Sequence, residues 1–196
     1  MDIRICFVGD SFVNGTGDET ALGWAGRLCA AASATGVPLT YYNLGVRRDT
    51  SQDILLRWKQ ECTRRLPDFC DGRLVMSCGV NDTMVENGVQ RIAHDASLQN
   101  MREILCGAAK YPTLMVEPPP VAEAAHNSRI SKLSAAYQHE TNKLGIPFVD
   151  LFSPLIHDDN YQRDIASGDG AHPPTAGYAK MAGIIGASKA WWFCAA

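Results

Sequence analysis

Residues 3–11 read Ile-Arg-Ile-Cys-Phe-Val-Gly-Asp-Ser. The apolar run from Ile3 to Val8 stops at Gly9 and gives way to an acid and a hydroxyl. A short run of this kind bounded by glycine is the pattern of a buried strand. Leu39–Leu44, Arg73–Cys78, Thr113–Val116 and Pro147–Leu151 have the same character. Between the runs, apolar residues recur at helical spacing. Ile54, Leu55, Trp58 and Cys62 mark one face, after a Thr50-x-x-Asp53 start that resembles a capping box. Leu98, Met101, Ile104, Leu105 and Ala108 mark a second. Ile130, Leu133, Tyr137 and Leu144 mark a third, closed by Gly145 and Pro147. A last helix is expected from about Thr175, with Met181, Ile184 and Ile185 on its inner side. Strands that alternate with helices imply a parallel sheet covered on both faces. The expectation is an α/β fold with five parallel strands.

The 196 residues suit one domain spanning 1–196, with enough core to need no disulfide or metal staple. There is no repeat, linker or low-complexity stretch, and Pro118-Pro119-Pro120 reads as a stiff loop. Hydrophobic residues are 46% and charged residues 20%, which excludes disorder. The net charge is −3 and no basic stripe is present, so nucleic acid is not an expected partner. No apolar run reaches membrane-spanning length. The seven cysteines are scattered without metal-ligand spacing, and are expected to be reduced thiols. No cofactor or metal is expected. Met1-Asp2-Ile3-Arg4 leads straight into the first apolar run without the pattern of a secretory leader, which sets a cytoplasmic expectation.

In open α/β sheets, ligands bind beyond the carboxyl ends of the strands. Gly9-Asp10-Ser11 follows the first strand, Asn43-Leu44-Gly45 closes the second, and Gly79-Val80-Asn81-Asp82 follows the third. Asp169-Gly170-Ala171-His172-Pro173 comes after the fifth, past a longer loop. Taken singly, each has a plain explanation. Asp10 and Ser11 are good helix caps, Asn81-Asp82 is an ordinary turn pair, and a histidine before proline suits a surface loop. Their joint occurrence at strand ends is what those explanations fail to cover.

The four blocks, in this order, resemble those of SGNH (GDSL-like) hydrolases, and the likeness spans almost the whole chain. Asn43–Thr50 and Ala176-Gly177-Tyr178 share in it. The resemblance implies a flavodoxin-like three-layer fold and ester hydrolysis by a triad of Ser11, His172 and Asp169. It further implies an oxyanion hole made by the Ser11 N–H, the Gly45 N–H and the Asn81 side chain. Val46-Arg47-Arg48 stands where relatives often have a serine-glycine pair after the second-block glycine.

The residue chemistry agrees with those roles. A serine hydroxyl needs a base to remove its proton, and histidine is the side chain suited to that near neutral pH. Asp169, three residues before His172, can meet its other ring nitrogen and fix the tautomer. A glycine admits close approach, and backbone and amide N–H groups supply fixed donors for a developing oxyanion. His94, His126, His139 and His157 lie outside the blocks and are expected on surfaces or helices. Arg47 and Arg48 read as a solvated loop, and Trp191-Trp192-Phe193 as packing for the last helix. The expected partner is a small ester, which includes thioesters and acetylated sugars; an oligomer is not readable. The alternative, a catalytically silent ligand- or carbohydrate-binding domain on the same fold, should show a break at Ser11, Asn81, Asp169 or His172. None is broken. A flavin or nucleotide binder lacks its glycine-rich phosphate loop.

Overall fold

The computed structural model describes residues 2–194. Strand β1 (Ile3–Gly9) turns into the short helix α1 (Ser11–Asn14), followed by α2 (Gly23–Ala34). Next come β2 (Leu39–Gly45), α3 (Ser51–Arg65), β3 (Asp71–Ser77) and α4 (Val80–Thr83). A small hairpin of β4 (Val85–Glu86) and β5 (Val89–Gln90) precedes α5 (His94–Gly107), β6 (Thr113–Val116) and α6 (Ala124–Leu144). The chain ends with β7 (Phe148–Val149), α7 (Phe152–Ile156), α8 (Asp159–Ser167) and α9 (Thr175–Ala187).

The main sheet has five parallel strands in the order β2-β1-β3-β6-β7. This is the flavodoxin-like order, with the topological switch between β1 and β3. Central β1 alternates its side chains between two cores. Ile5 and Phe7 pack with Trp24, Tyr178 and Met181 from α2 and α9. Cys6 and Val8 pack with Ile54, Trp58, Met101 and Leu133 from α3, α5 and α6. Cys6, Cys29, Cys62 and Cys78 are buried apolar residues of these cores.

Register places Gly9 opposite both Gly45 and Ser77, so three of the sequence blocks meet at one rim. A Cβ at Gly9 would lie 2.1 Å from the Ser77 carbonyl oxygen and 2.4 Å from Val13 Cγ2. Only glycine lets the chain turn there toward Ser11. Thr50 and Asp53 form the expected capping box at α3, with both reciprocal bonds present.

Several details differ from the sequence expectation. β3 starts two residues earlier, at Asp71, and β7 narrows to Phe148–Val149. The segment before Asp169 holds α7 and α8 instead of a loop. Leu144 stays 40% exposed because the buried face of α6 ends at Thr141. On α9 the inner face is Tyr178, Met181, Ala182 and Ile185, with Ile184 only flanking it. Trp191 is buried beside Phe7, while Arg73 lies over the rings of Trp192 and Phe193. No helix among the described residues is long and apolar enough to cross a membrane.

Glu117, just past β6, ties the last strand to α7. Its Oε2 accepts the N–H groups of Leu151 and Phe152 at 3.0 and 2.9 Å. Burial raises its pKa to about 7; the Phe152 N–H opposes that rise, and nearby Asp150 adds to it. A carboxyl raised in the folded state stabilises the fold most when protonated. That contribution is fully present below the ordinary value of 4.5 and is lost as pH rises through about 7. Glu117→Gln should therefore gain about 1–3 kcal/mol relative to the parent between pH 4.5 and pH 7. Urea unfolding at the two pH values checks this; a constant difference would exclude Glu117 as the titrating group.

Candidate active site

Ser11 opens α1, directly beyond β1. Asp10 caps the helix by accepting the Phe12 N–H on Oδ1 at 2.9 Å. Ser11 is buried, and its Oγ lies 2.7 Å from His172 Nε2. On the other side of the ring, Nδ1 lies 2.6 Å from Asp169 Oδ2. Asp169 Oδ1 accepts the N–H groups of Ala171 and His172 at 3.0 and 2.8 Å, so one carboxylate fixes both ring and loop. Burial would raise the Asp169 pKa, but the His172 ring and these N–H groups outweigh it and hold the group at about 2. The imidazole packs against Phe12, ring centroids 5.0 Å apart.

The loop before α2 and the start of α9 are bound together. Tyr178 OH donates to the Thr16 carbonyl at 2.7 Å, and Thr175 Oγ1 donates to Asp18 Oδ1 at 2.8 Å. Glu19 accepts the Thr175 N–H at 2.9 Å. Asp18, itself buried, also pairs with Arg27, whose guanidinium holds its carboxyl well below the usual carboxylate range despite burial.

Asn81 is buried at the start of α4 and borders the same cleft. Its Nδ2 donates to the Asp49 carbonyl at 3.0 Å, while Asp10 Oδ2 is its other near acceptor at 3.5 Å. The second contact is long for an N–H···O bond. The Ser11 N–H has no acceptor among the described residues. Gly45 differs from expectation: its N–H is donated to Asn43 Oδ1 at 3.0 Å and not to the cleft. Its lack of a side chain serves packing. A Cβ there would lie 2.2 Å from the Asn14 nitrogen and 2.7 Å from the Asp10 carbonyl oxygen. The structure thus brings Ser11, His172, Asp169 and Asn81 together, and Gly45 supports them from behind.

A cleft of about 270 Å³ opens beside Ser11 and His172. Phe12, Val80, Met84, Val121 and Ala171 give it apolar walls, and His126 and Glu123 add polar ones. On the other side of His172, a separate depression carries Arg47. Arg48 instead pairs with Glu86 on the hairpin at 2.7 Å. No group of three or more His, Cys, Asp or Glu among the described residues is placed to hold a metal.

The model of the GDSL-like lipase/acylhydrolase family matches residues 7–180. The chain belongs to this family. Its fold is shared with solved members of the group. A lipase/acylhydrolase from Enterococcus faecalis is 21% identical, with a TM-score of 0.78 over 93% of each chain. An acetylxylan esterase from Geobacillus stearothermophilus is 16% identical, with a TM-score of 0.73 over 93% of this chain and 91% of that one. A member of the lipolytic G-D-S-L family from Veillonella parvula is 16% identical, with a TM-score of 0.74 over 93% and 95%. No curated protein matched in sequence. Family and fold together support ester hydrolysis as the general chemistry.

The GDSL-like blocks supply only part of the cleft walls, Val80 and Ala171 among them. His126 and Met84 sit in segments without a motif, and only the chain's path past α4 and α6 brings them to Ser11. Asp18 and Thr175 are likewise ordinary until α2 and α9 pack together. Gly45→Ala tests how tightly the rear of the site is packed. Its methyl would meet backbone atoms of α1 that have little room to move, so the variant should lose about 1–3 kcal/mol. Urea unfolding reads this, and parental stability would mean that α1 yields without cost.

Proposed function

We propose that the protein is a serine hydrolase of carboxylic esters, with Ser11 as nucleophile, His172 as base and Asp169 as the acid that orients it. The chain of contacts from Ser11 Oγ through the His172 ring to Asp169, at 2.7 and 2.6 Å, carries this reading. In the first half-reaction Ser11 Oγ bonds to the ester carbonyl carbon and its proton passes to His172 Nε2. The tetrahedral intermediate collapses, the C–O bond to the alcohol breaks, and His172 returns the proton to the leaving oxygen. Water then attacks the acyl-serine, again giving its proton to His172, and Ser11 is regenerated with release of the acid.

The negative oxygen of each intermediate needs donors fixed in advance. The Ser11 N–H and the second hydrogen of Asn81 Nδ2 are the groups we assign to it. The first Asn81 hydrogen holds the Asp49 carbonyl and so aims the amide. Gly45 contributes through shape and not as a donor. The apolar walls and modest volume of the cleft suit a short acyl chain better than a long fatty one.

Ser11→Ala should abolish hydrolysis of short p-nitrophenyl esters and labelling by a fluorophosphonate probe, with the fold retained. Labelling at another residue would remove Ser11 from the role. Asp169→Asn should fold normally and lose up to ~10⁴ in kcat, the size of the serine-protease precedent. His172→Ala should be at least as damaging.

Asn81→Ala should lower kcat by ~10²–10³ with little change in KM, because a donor aimed at the developing oxyanion acts on the transition state. If Asn81 only ties down the Asp49 turn, the melting temperature would fall instead and kcat would stay near the parent's. Melting and kinetics on one preparation separate the two.

A further inference from the structure

His126 stands in the first turn of α6 and in the wall of the cleft, with only 5% of its surface exposed. Its Nε2 lies 3.0 Å from the Val80 carbonyl oxygen and 3.0 Å from Thr83 Oγ1. A carbonyl only accepts, so Nε2 must carry the proton. Thr83 agrees with that assignment: its own hydrogen has the Gly79 carbonyl at 3.0 Å, which leaves Oγ1 to accept from the ring. Burial lowers the His126 pKa and nearby Arg129 adds to that, outweighing the Val80 carbonyl and Glu123, which favour the charged form. The ring is therefore neutral near pH 7, with a lone pair on Nδ1. That atom has no partner among the described residues. With Nε2 turned to the backbone of α4, Nδ1 is the ring's only polar atom left for the cleft.

Such an acceptor is costly to leave unsatisfied once a bound ligand fills the cleft and excludes water. Phe12, Val80 and Val121 line the same cleft and would strip the solvent from a cationic donor at a high cost, which favours a neutral one. We propose that His126 Nδ1 accepts a hydrogen bond from a hydroxyl group of the bound substrate, so that the cleft selects hydroxylated esters. This rests on the ester-hydrolase reading of the Ser11 site and specifies its substrate class. The hydroxyl belongs either to the acyl chain or to a polyol on the alcohol side; the recognition chemistry is the same.

Two matched pairs of esters distinguish the sources. p-Nitrophenyl 3-hydroxybutyrate against p-nitrophenyl butyrate places the hydroxyl on the acyl side. Glycerol 1-monoacetate against propyl acetate places it on the alcohol side. In one pair the hydroxylated member should have a kcat/KM roughly tenfold or more above its partner, the size expected when a buried acceptor gains or loses its donor. His126→Phe and His126→Leu should each bring that ratio close to one, with fluorophosphonate labelling of Ser11 reporting that the site is intact. Ratios near one in both pairs for the parent protein would overturn the hydroxyl subsite and leave the esterase reading standing. A preference that survives in either variant would also overturn it. Failure of the parent to hydrolyse any of the four esters would remove the esterase reading, and the subsite with it.

Discussion

Ser11 and His172 are 161 positions apart in sequence, yet their side chains meet at 2.7 Å. A contact of that length tolerates little relative movement of α1 and the loop before α9. Both segments are fastened to the same face of the sheet. Val13 from α1 and Tyr178, Met181 and Ile185 from α9 share one core with Ile5 and Phe7 of β1. Bonds from Tyr178 to Thr16 and from Thr175 to Asp18 and Glu19 then fix the remaining freedom. Packing thus sets the distance between the elements, and the polar bonds set the angle. The Ser11–His172–Asp169 geometry is a product of the α2–α9 layer as much as of the residues that form it.

Acidic side chains are concentrated under the rim, where burial penalises them. Asp10 and Asp82 are almost fully buried, and burial together with Asp82 and Asp49 raises the Asp10 pKa to about 7 despite the bond from Phe12. These groups persist because each holds backbone that would otherwise lack a partner. Asp10 caps α1 and Asp82 accepts the Ser51 N–H at the start of α3 at 2.7 Å. Glu117 does the same for α7. Strand ends that must stay open for a substrate cannot satisfy all their N–H groups through secondary structure, and buried carboxyls take over that task.

The five-stranded parallel sheet was legible because its runs are short, apolar and bounded by glycine or proline. The Ser11, His172 and Asp169 constellation was legible because Ser11 follows the first strand and its blocks occur together in the order of a known family, although Asp169 and His172 stand between α8 and α9 and not at a strand end. What escaped were features set by contact instead of local pattern. α2 is rich in alanine, which favours a helix, but carries no strong apolar stripe to mark its buried face in residues 23–34. Gly45 was assigned to a donor role from its block. Its position instead meets the need for α1 to pass within contact distance, a fact visible only once β1 and β2 are paired. His126 looked like one of four unremarkable histidines, and its burial depends on α6 crossing α4.

The departure Val46-Arg47-Arg48 becomes intelligible through the turn that contains it. Val46 N–H bonds the Gly9 carbonyl at 3.0 Å, and Asp49 N–H closes the turn on Val46 at 3.2 Å. Arg57 holds Asp49 Oδ2 at 2.6 Å and the Gly9 carbonyl at 2.9 Å, while Asn81 holds the Asp49 carbonyl. The turn is therefore over-determined, and it can keep Arg48 at φ 69°, a left-handed conformation that costs a non-glycine residue on the order of 1 kcal/mol. Glycine would avoid that cost but offer no side chain. Arg48 reaches Glu86, and its carbonyl accepts Arg91 Nη2 at 3.0 Å, so both sides of the hairpin are drawn to the turn. Such exposed pairs add little stability. Their consequence is positional: Met84, which precedes the hairpin and lines the cleft, is held in place through Arg91, whose N–H bonds its carbonyl at 2.9 Å. A strained residue in the second block thereby helps to fix the far wall of the site.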